Sequence, residues 1–278
     1  MSAQPIPFAR GGDHTAYLIG ERLLVRLAED RGSASAAEAV EREVRVLKAV
    51  AELSPLRVPR VAFALPAEGC LAYELLPGVP LIEVEPASRA SAAASVAERL
   101  GRFLTALHTA PAERMAALID EDEYPMEAWA EEAREHYARA RAAIPPSHHG
   151  PVEAFLDAPP PPPDGELVFS HNDLGIEHVL VDPRSLEVTG VIDWSDAALV
   201  DPARDFGLLL RDLGPAALDS ALAAYSPRDE AALRARAGFY ARAALLEDLV
   251  FGLEEARAEY SDKSIAGLTW LFPCASAR

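Results

Sequence analysis

Cysteine is nearly absent: Cys70 and Cys274 are the only two in 278 residues. They have neither metal-site spacing nor the numbers for a disulfide framework, which excludes a cysteine-stapled secreted scaffold and matches a reducing compartment. Long apolar runs are missing as well. No uninterrupted stretch is long enough to cross a bilayer. Near the N-terminus charges recur every few positions where a signal peptide would be apolar, so a cytoplasmic location is expected. Positive charge is scarce, with 26 Lys and Arg against 44 Asp and Glu and a formal charge of −18. That field argues against nucleic acid or an anionic membrane surface as partner. It favours a cationic ligand, although acidity alone also serves solubility. No G-x-G-x-x-G loop, Walker A motif or internal repeat is present. Half the residues are hydrophobic, enough for one large or two small domains with an ample core.

The most informative stretch runs from Leu167 to Asp205 and contains L-V-F-S-H-N-D-L-G-I-E-H-V-L-V-D, V-T-G-V-I-D-W-S-D and D-P-A-R-D-F. Apolar runs at 167–169, 179–181 and 188–192 read as short strands. They leave Asp173 and Asp193 on turns at strand ends. Phosphoryl transfer needs such a pair, because positioning and charge neutralisation do nearly all its work. One carboxylate accepts the proton of an attacking hydroxyl; a second holds the magnesium that bridges the nucleotide phosphates. Asp173 suits the first role and Asp193 the second. Any one of these residues alone would be a turn former or helix cap. Three linked elements at workable spacing weigh against that plainer reading.

H-N-D-L-G-I-E-H resembles the catalytic loop of the aminoglycoside phosphotransferase family and its protein-kinase-like relatives, in which an Asp is followed five positions later by a metal-binding Asn. His178 stands at the Asn place, as in some aminoglycoside and macrolide phosphotransferases. I-D-W at 192–194 is similar to the family's counterpart of the kinase D-F-G metal site, and D-P-A-R-D to its D-P-x-x-D segment. The resemblance implies Asp173 as base, Asp193 with His178 on Mg2+, ATP or GTP as phosphate donor, and His171 and Asp205 as supports of the catalytic loop. For His178 a satisfied, partly buried histidine is the competing reading, since magnesium prefers oxygen donors.

Ahead of this stretch, residues 15–19 and 22–27 read as a hairpin turning at Gly20-Glu21. The preceding Gly11-Gly12 allows close approach to phosphates, or is just a turn. Arg26 lies in L-L-V-R-L, where the resemblance implies a phosphate-binding cation. Ser35-Ala36-Ala37-Glu38 reads as a capping box opening a helix to about Leu53, with Val40, Val44, Leu47 and Ala51 on one face. Glu43 is turned toward that face and needs a cation there. An Arg26–Glu43 pair is the sharper expectation; ordinary surface contacts by both are the plainer one. Strands at 61–65 and 71–74 follow, and Leu75-Leu76-Pro77-Gly78 then interrupts the pattern. By the resemblance this is the interlobe hinge, where main-chain groups from Glu74 to Leu76 bind the purine edge.

Residues 87–110 read as a helix with Val96, Leu100, Phe103, Leu104 and Leu107 at helical spacing, ending in a structural His108. Residues 120–137 read as an acid-rich helix, mostly a solvated face, with acceptor binding as the alternative; Trp129 and Tyr137 read as packing residues. Pro159 to Pro163 form a stiff polyproline connector. Beyond Asp205, helices are expected at 206–213, 215–225 and in one long segment 227–260. Glu247 and Asp248 on the last, with Asp196, are candidates for binding a cationic acceptor.

The expected fold is α+β and protein-kinase-like. Residues 1–77 would form a small antiparallel nucleotide-binding lobe with the hinge beginning near 75, and residues 78–278 a larger, mainly helical catalytic and substrate-binding lobe. The expected function is NTP-dependent O-phosphorylation of a small-molecule hydroxyl, first an aminoglycoside or related cationic antibiotic. The alternatives are another alcohol (a macrolide, sugar, choline-like compound or peptide antibiotic) or a non-catalytic nucleotide-binding pseudokinase. With no activation segment between Asp193 and Asp205, a protein kinase is disfavoured.

Overall fold

The computed structural model describes residues 5–10, 14–20, 22–119, 121, 124–163 and 166–274. The Gly11-Gly12 loop, Glu21 of the hairpin turn, and Asp120, Asp122 and Glu123 of the acid-rich segment lie outside them. The N-terminal part is a sheet of five antiparallel strands in the order β1-β2-β3-β5-β4: β1 Ile6–Arg10, β2 His14–Ile19, β3 Leu23–Ala28, β4 Val61–Leu65 and β5 Cys70–Glu74. One helix, α1 Ala34–Leu53, interrupts it. In the middle strand β3, Arg26 pairs with Ala16 on one side and Leu71 on the other. Strand alternation puts it on the face opposite buried Val25.

Helix α1 begins earlier than its expected capping box. Ser33, not Ser35, is the cap: its hydroxyl accepts from the Ala36 amide at 2.9 Å, because Gly32 at φ 87 turns the chain into the helix ahead of that point. The buried face runs through Ala36, Val40, Leu47 and Val50; Ala51, expected on it, is exposed.

The chain then enters a mainly helical region. A short strand β6 Val79–Pro80 leads to α2 Pro86–His108, α3 Ala112–Ala116, α4 Met126–Ala140 and α5 Pro146–Asp157. Strands β7 Val168–Ser170, β8 Val179–Val181, β9 Val188–Val191 and β10 Ala198–Val200 follow. Helices α6 Ala203–Leu213, α7 Pro215–Tyr225, α8 Glu230–Glu254 and α9 Ala258–Leu271 complete the order. β6-β8-β9 and β10-β7 form two small antiparallel sheets. The apolar helix faces share a core in which Trp194, Phe103, Phe169, Phe206 and Phe272 are the largest fully buried side chains.

Two further expectations need correction. The acid-rich helix starts only at Met126, after Pro125, since a residue preceding proline is pushed out of the helical region. The segment 227–260 is two helices, broken where Ala256 sits at φ 54. Strands β1 and β10 and helix α5 carried no recognised periodicity; in α5 Pro151 and flanking polar residues dilute the pattern. Among the described residues no helix is long and apolar enough to cross a membrane.

Strand β9 touches the N-terminal region directly. Its Val191 amide donates to the Arg57 carbonyl at 2.9 Å, and the Thr189 hydroxyl donates to the Pro77 carbonyl at 2.7 Å. Gly78, at φ 121, passes so close that a Cβ would lie 2.8 Å from the Val181 carbonyl oxygen and against the tethered Thr189 hydroxyl. Gly78→Ala should therefore lower the denaturant midpoint by the equivalent of about 2–4 kcal/mol, left-handed strain adding to overpacking. An unchanged midpoint in urea unfolding would contradict that close approach.

Candidate active site

The turn after β7 is built on a carboxylate it does not itself contain. Asp205, fully buried in the first turn of α6, accepts from the His171 amide (Oδ2, 3.1 Å) and the Asn172 amide (Oδ1, 2.9 Å). His108 Nε2 stands 3.5 Å from Asp205 and 3.3 Å from the Ser170 hydroxyl, and its Nδ1 meets the Tyr225 hydroxyl at 3.2 Å. It is a core histidine supporting Asp205. His171 Nε2–H donates to the Ile192 carbonyl at 2.9 Å while its Nδ1 accepts from the Asp173 amide at 3.3 Å. That pattern defines one neutral tautomer, and burial keeps its pKa below the ordinary value. His171 thus ties the Asp173 turn to the strand end that delivers Asp193. Asn172 and Asp193 take left-handed backbone angles, φ 69 and 61, in residue types that tolerate them.

His178 lies between the two carboxylates. Its Nδ1–H donates to the Asp173 carbonyl at 2.8 Å and is 3.3 Å from Asp173 Oδ2; its Nε2 is 3.7 Å from Asp193 Oδ2. Burial works against a charged ring there, but Asp173, Glu177 and Asp193 together raise its pKa. Burial likewise opposes charge on Asp193, yet His178 and Arg26 hold its carboxyl below the usual range. Ser195 Oγ donates to Asp193 Oδ1 at 2.9 Å.

From the sheet side, Arg26 Nη1 donates to Glu43 Oε1 at 2.7 Å, both side chains 12% exposed. Its Nη2 donates to His14 Nδ1 at 3.1 Å. Desolvation raises the Glu43 pKa against the pull of Arg26, and lifts half-buried Tyr73 beside them to about 12. Arg26, Glu43, His14, Asp193, Ser195 and Asp196 line a cavity of about 740 Å³. Glu74 and Leu76 are not on its wall. The Glu74 amide donates to the Arg60 carbonyl at 3.0 Å, and Leu76 lies beside Gly190 of β9.

A second cavity, about 430 Å³, opens on the other side of His178. Asp173, His178, Asp196 and Glu247 give it acids and a base; Trp129, Tyr240, Phe251 and Tyr260 give it rings. Trp129, read from sequence as packing, lines this space and carries Arg204 stacked 4.2 Å from its centroid. Partial desolvation by the cavity walls raises the pKa of the exposed Asp196 carboxyl, as do Asp173 and Asp193; desolvation and Asp248 raise that of the exposed Glu247. The structure brings Asp173, His178, Asp193 and Asp196 together at the seam of the two cavities.

Asp248 also lines the second cavity, but its carboxylate is engaged in an ion cluster beneath the Asp173 turn. Arg211 reaches Asp212 (2.8 Å), Asp248 (3.0 Å) and Glu177 (3.4 Å); Lys263 reaches Asp248 (2.8 Å), Glu177 (3.1 Å) and Asp212 (3.1 Å). Asp212 also accepts from the Ile176 amide at 3.1 Å, so the cluster grips the turn that carries His178. Sequence reasoning missed it. Its signals were Arg211-Asp212 inside an apolar run, and Lys263, one of only two lysines in the chain.

Among the described residues no three His, Cys, Asp or Glu side chains converge as a ready-made metal cage. Comparison with known proteins then decides the family. A family model described as the phosphotransferase enzyme family matches residues 5–240. The chain belongs to that family. This phosphotransferase has no match among curated proteins, but solved structures share its fold. The GDP and kanamycin complex of APH(2")-IIia superposes with a TM-score of 0.69 at 19% identity, covering 96% of this chain and 92% of that one. The macrolide 2'-phosphotransferase MphH from Brachybacterium faecium gives 0.62 at 25%, with the same coverages, and a type I macrolide 2'-phosphotransferase gives 0.64 at 24%, covering 95% and 90%. The α+β architecture, a small antiparallel lobe and a helical lobe, is that of this protein-kinase-like group.

The ion cluster generates a pH-dependent expectation. Lys263→Met leaves three buried carboxylates facing Arg211 alone, at a cost of about 3–5 kcal/mol near neutrality. Burial already raises the Asp248 pKa. A carboxyl whose folded pKa exceeds its unfolded one destabilises as pH rises and is relieved as pH falls toward the unfolded value near 4. The deficit of Lys263→Met relative to wild type should therefore shrink between about pH 7 and pH 5 in urea unfolding. A deficit independent of pH would be at odds with the excess-charge account.

Proposed function

We propose that this phosphotransferase transfers the γ-phosphoryl group of a Mg2+-bound nucleoside triphosphate, ATP or GTP, to a hydroxyl of a small cationic molecule, an aminoglycoside or related antibiotic. The supporting observation is the row Asp173–His178–Asp193 at the seam between two cavities: Arg26 and Asp193 face one, and Asp173 faces the other. In this reading the phosphates lie on the Arg26 side, the purine runs toward main-chain groups of Glu74 and Leu76, and the acceptor enters among Asp196, Glu247 and the rings. The lobe division falls at residues 77/78, between β5 and β6.

The residues present suit magnesium. Asp193 offers a hard carboxylate, partly open, with its other oxygen held by Ser195. The His178 Nδ1–H is committed to the Asp173 carbonyl, which in the neutral ring leaves the Nε2 lone pair on the Asp193 side to accept from a water of the ion's shell, since magnesium prefers oxygen ligands. Bound there, the ion would offset the charge of the phosphates, with water and phosphate oxygens completing its shell. Asp173, 39% exposed, orients the acceptor hydroxyl and takes its proton. Arg26, kept in place by Glu43, neutralises phosphate charge. Asp205 and His171 hold the Asp173 turn so that its carboxylate need not reorganise.

The wall of the second cavity supports a second acceptor class. Trp129, Tyr240, Tyr260, Phe251, Leu208 and Ala244 offer an apolar body beside a few acids, which suits an amine-bearing macrolide as well as a polyamine. The deciding experiment incubates the protein with Mg2+, ATP or GTP and a panel of aminoglycosides, macrolides, peptide antibiotics and amino alcohols, and reads product masses. One compound should gain a phosphate, and Asp173→Asn should slow that gain by about 10²–10⁴-fold, the range of a lost general base. Binding of Mg·nucleotide without turnover on any compound, and without nucleotide hydrolysis sensitive to Asp173→Asn, would instead favour a non-catalytic nucleotide-binding module.

A further inference from the structure

Helix α1 carries two charged residues side by side, and they reach opposite halves of the site. Glu43 receives Arg26 from the sheet. Arg42, about 100° further round the helix, crosses to the other lobe: its Nη1 donates to the Ser195 carbonyl at 2.7 Å and its Nη2 to the Ala197 carbonyl at 2.6 Å. Those carbonyls belong to the loop between Asp193 and β10. Ala197 is fully buried, so its carbonyl needs a donor, and 155 residues separate it in sequence from the one that serves it. The same Ser195 whose carbonyl Arg42 holds donates its hydroxyl to Asp193 Oδ1.

We infer that Arg42 is a positioning residue for phosphoryl transfer, which clamps the Ser195–Ala197 loop so that Asp193 is aimed at the metal from the same helix that aims Arg26 at the phosphates. The inference rests on the metal role proposed for Asp193. Two parallel bonds from one planar fork fix both direction and register of a loop, which a lysine ammonium cannot do. A helix turn is rigid, so Glu43 and Arg42 keep the Arg26 side and the Asp193 side in one frame. Arg42 also lines the larger cavity, so a direct phosphate contact is the competing role and the test must separate the two.

Arg42→Lys keeps the charge and loses the fork; Ser195→Ala removes the hydroxyl on Asp193 while leaving the clamped carbonyl. For each, and for the double variant, three quantities would be measured: ADP affinity without metal, Mn2+ affinity of the ADP complex by electron paramagnetic resonance, and amide exchange across residues 193–198. Arg42→Lys should weaken Mn2+ about 10-fold or more, the usual effect of losing a group that orients a metal ligand. It should quicken exchange in that loop and change metal-free ADP binding less than about 3-fold. The double variant should be no weaker toward Mn2+ than the weaker single one, because both act through Asp193. Equal losses in metal-free ADP and Mn2+ binding would make Arg42 a phosphate contact and overturn the inference, as would unchanged loop exchange or additive losses. If wild type binds neither ADP nor Mn2+, the proposed function fails, while the exchange comparison still judges the clamp itself.

Discussion

Crowded negative charge is the constraint around which this phosphotransferase is built. Asp173, Asp193 and Asp196 meet at one seam of an already acidic chain. Like charges in a partly desolvated site raise one another's pKa values, and Asp196 and Glu247 carry that signature. Basic side chains around the site are correspondingly held in place: His178 between two carboxylates, Arg26 against Glu43, Arg42 on loop carbonyls, Arg211 and Lys263 beneath the turn. A site so loaded gains from any added cation, whether a metal ion or an amine.

Rigidity is supplied from behind the reacting face. Asp205 gathers two successive amides, His171 ties the same turn to the end of β9 through one neutral tautomer, and the Ile176 amide is fixed by Asp212. These bonds hold the left-handed angles of Asn172 and Asp193 that aim the two carboxylates. Backbone strain of this kind persists where the surroundings over-determine it, as at active sites. The ion cluster is costly to desolvate, but all five of its charged groups find partners of opposite sign, and it joins the Asp173–His178 turn to α6, α8 and α9 at once.

The lobes are connected through few covalent residues and several lateral bonds, three of them at the strand that delivers Asp193 or the loop after it. The Val191 amide, the Thr189 hydroxyl and the Arg42 fork reach across. The larger cavity and the geometry of Asp193 therefore depend on how the small lobe sits, while the second cavity is walled mainly by helices of the large lobe.

The sequence alone determined what is local. The strands near 167–170, 179–181 and 188–191, the turn carrying Asp173, and the hairpin and first helix of the small lobe follow from short-range periodicity and turn chemistry, so they were legible within two or three residues. The motif resemblance pointed to the family that the comparisons then established. Only the tertiary structure decided the pairings between distant residues: Arg42 with Ser195 and Ala197, Lys263 with Glu177, His108 with Asp205. It also moved the start of α1 to Ser33, split the last long helix at Ala256, and placed Trp129 on a cavity wall. The reason is physical. Periodicity reports which face of an element is buried, whereas the partner of a buried charge is whichever opposite charge packing brings to it, and that depends on every helix crossing in between.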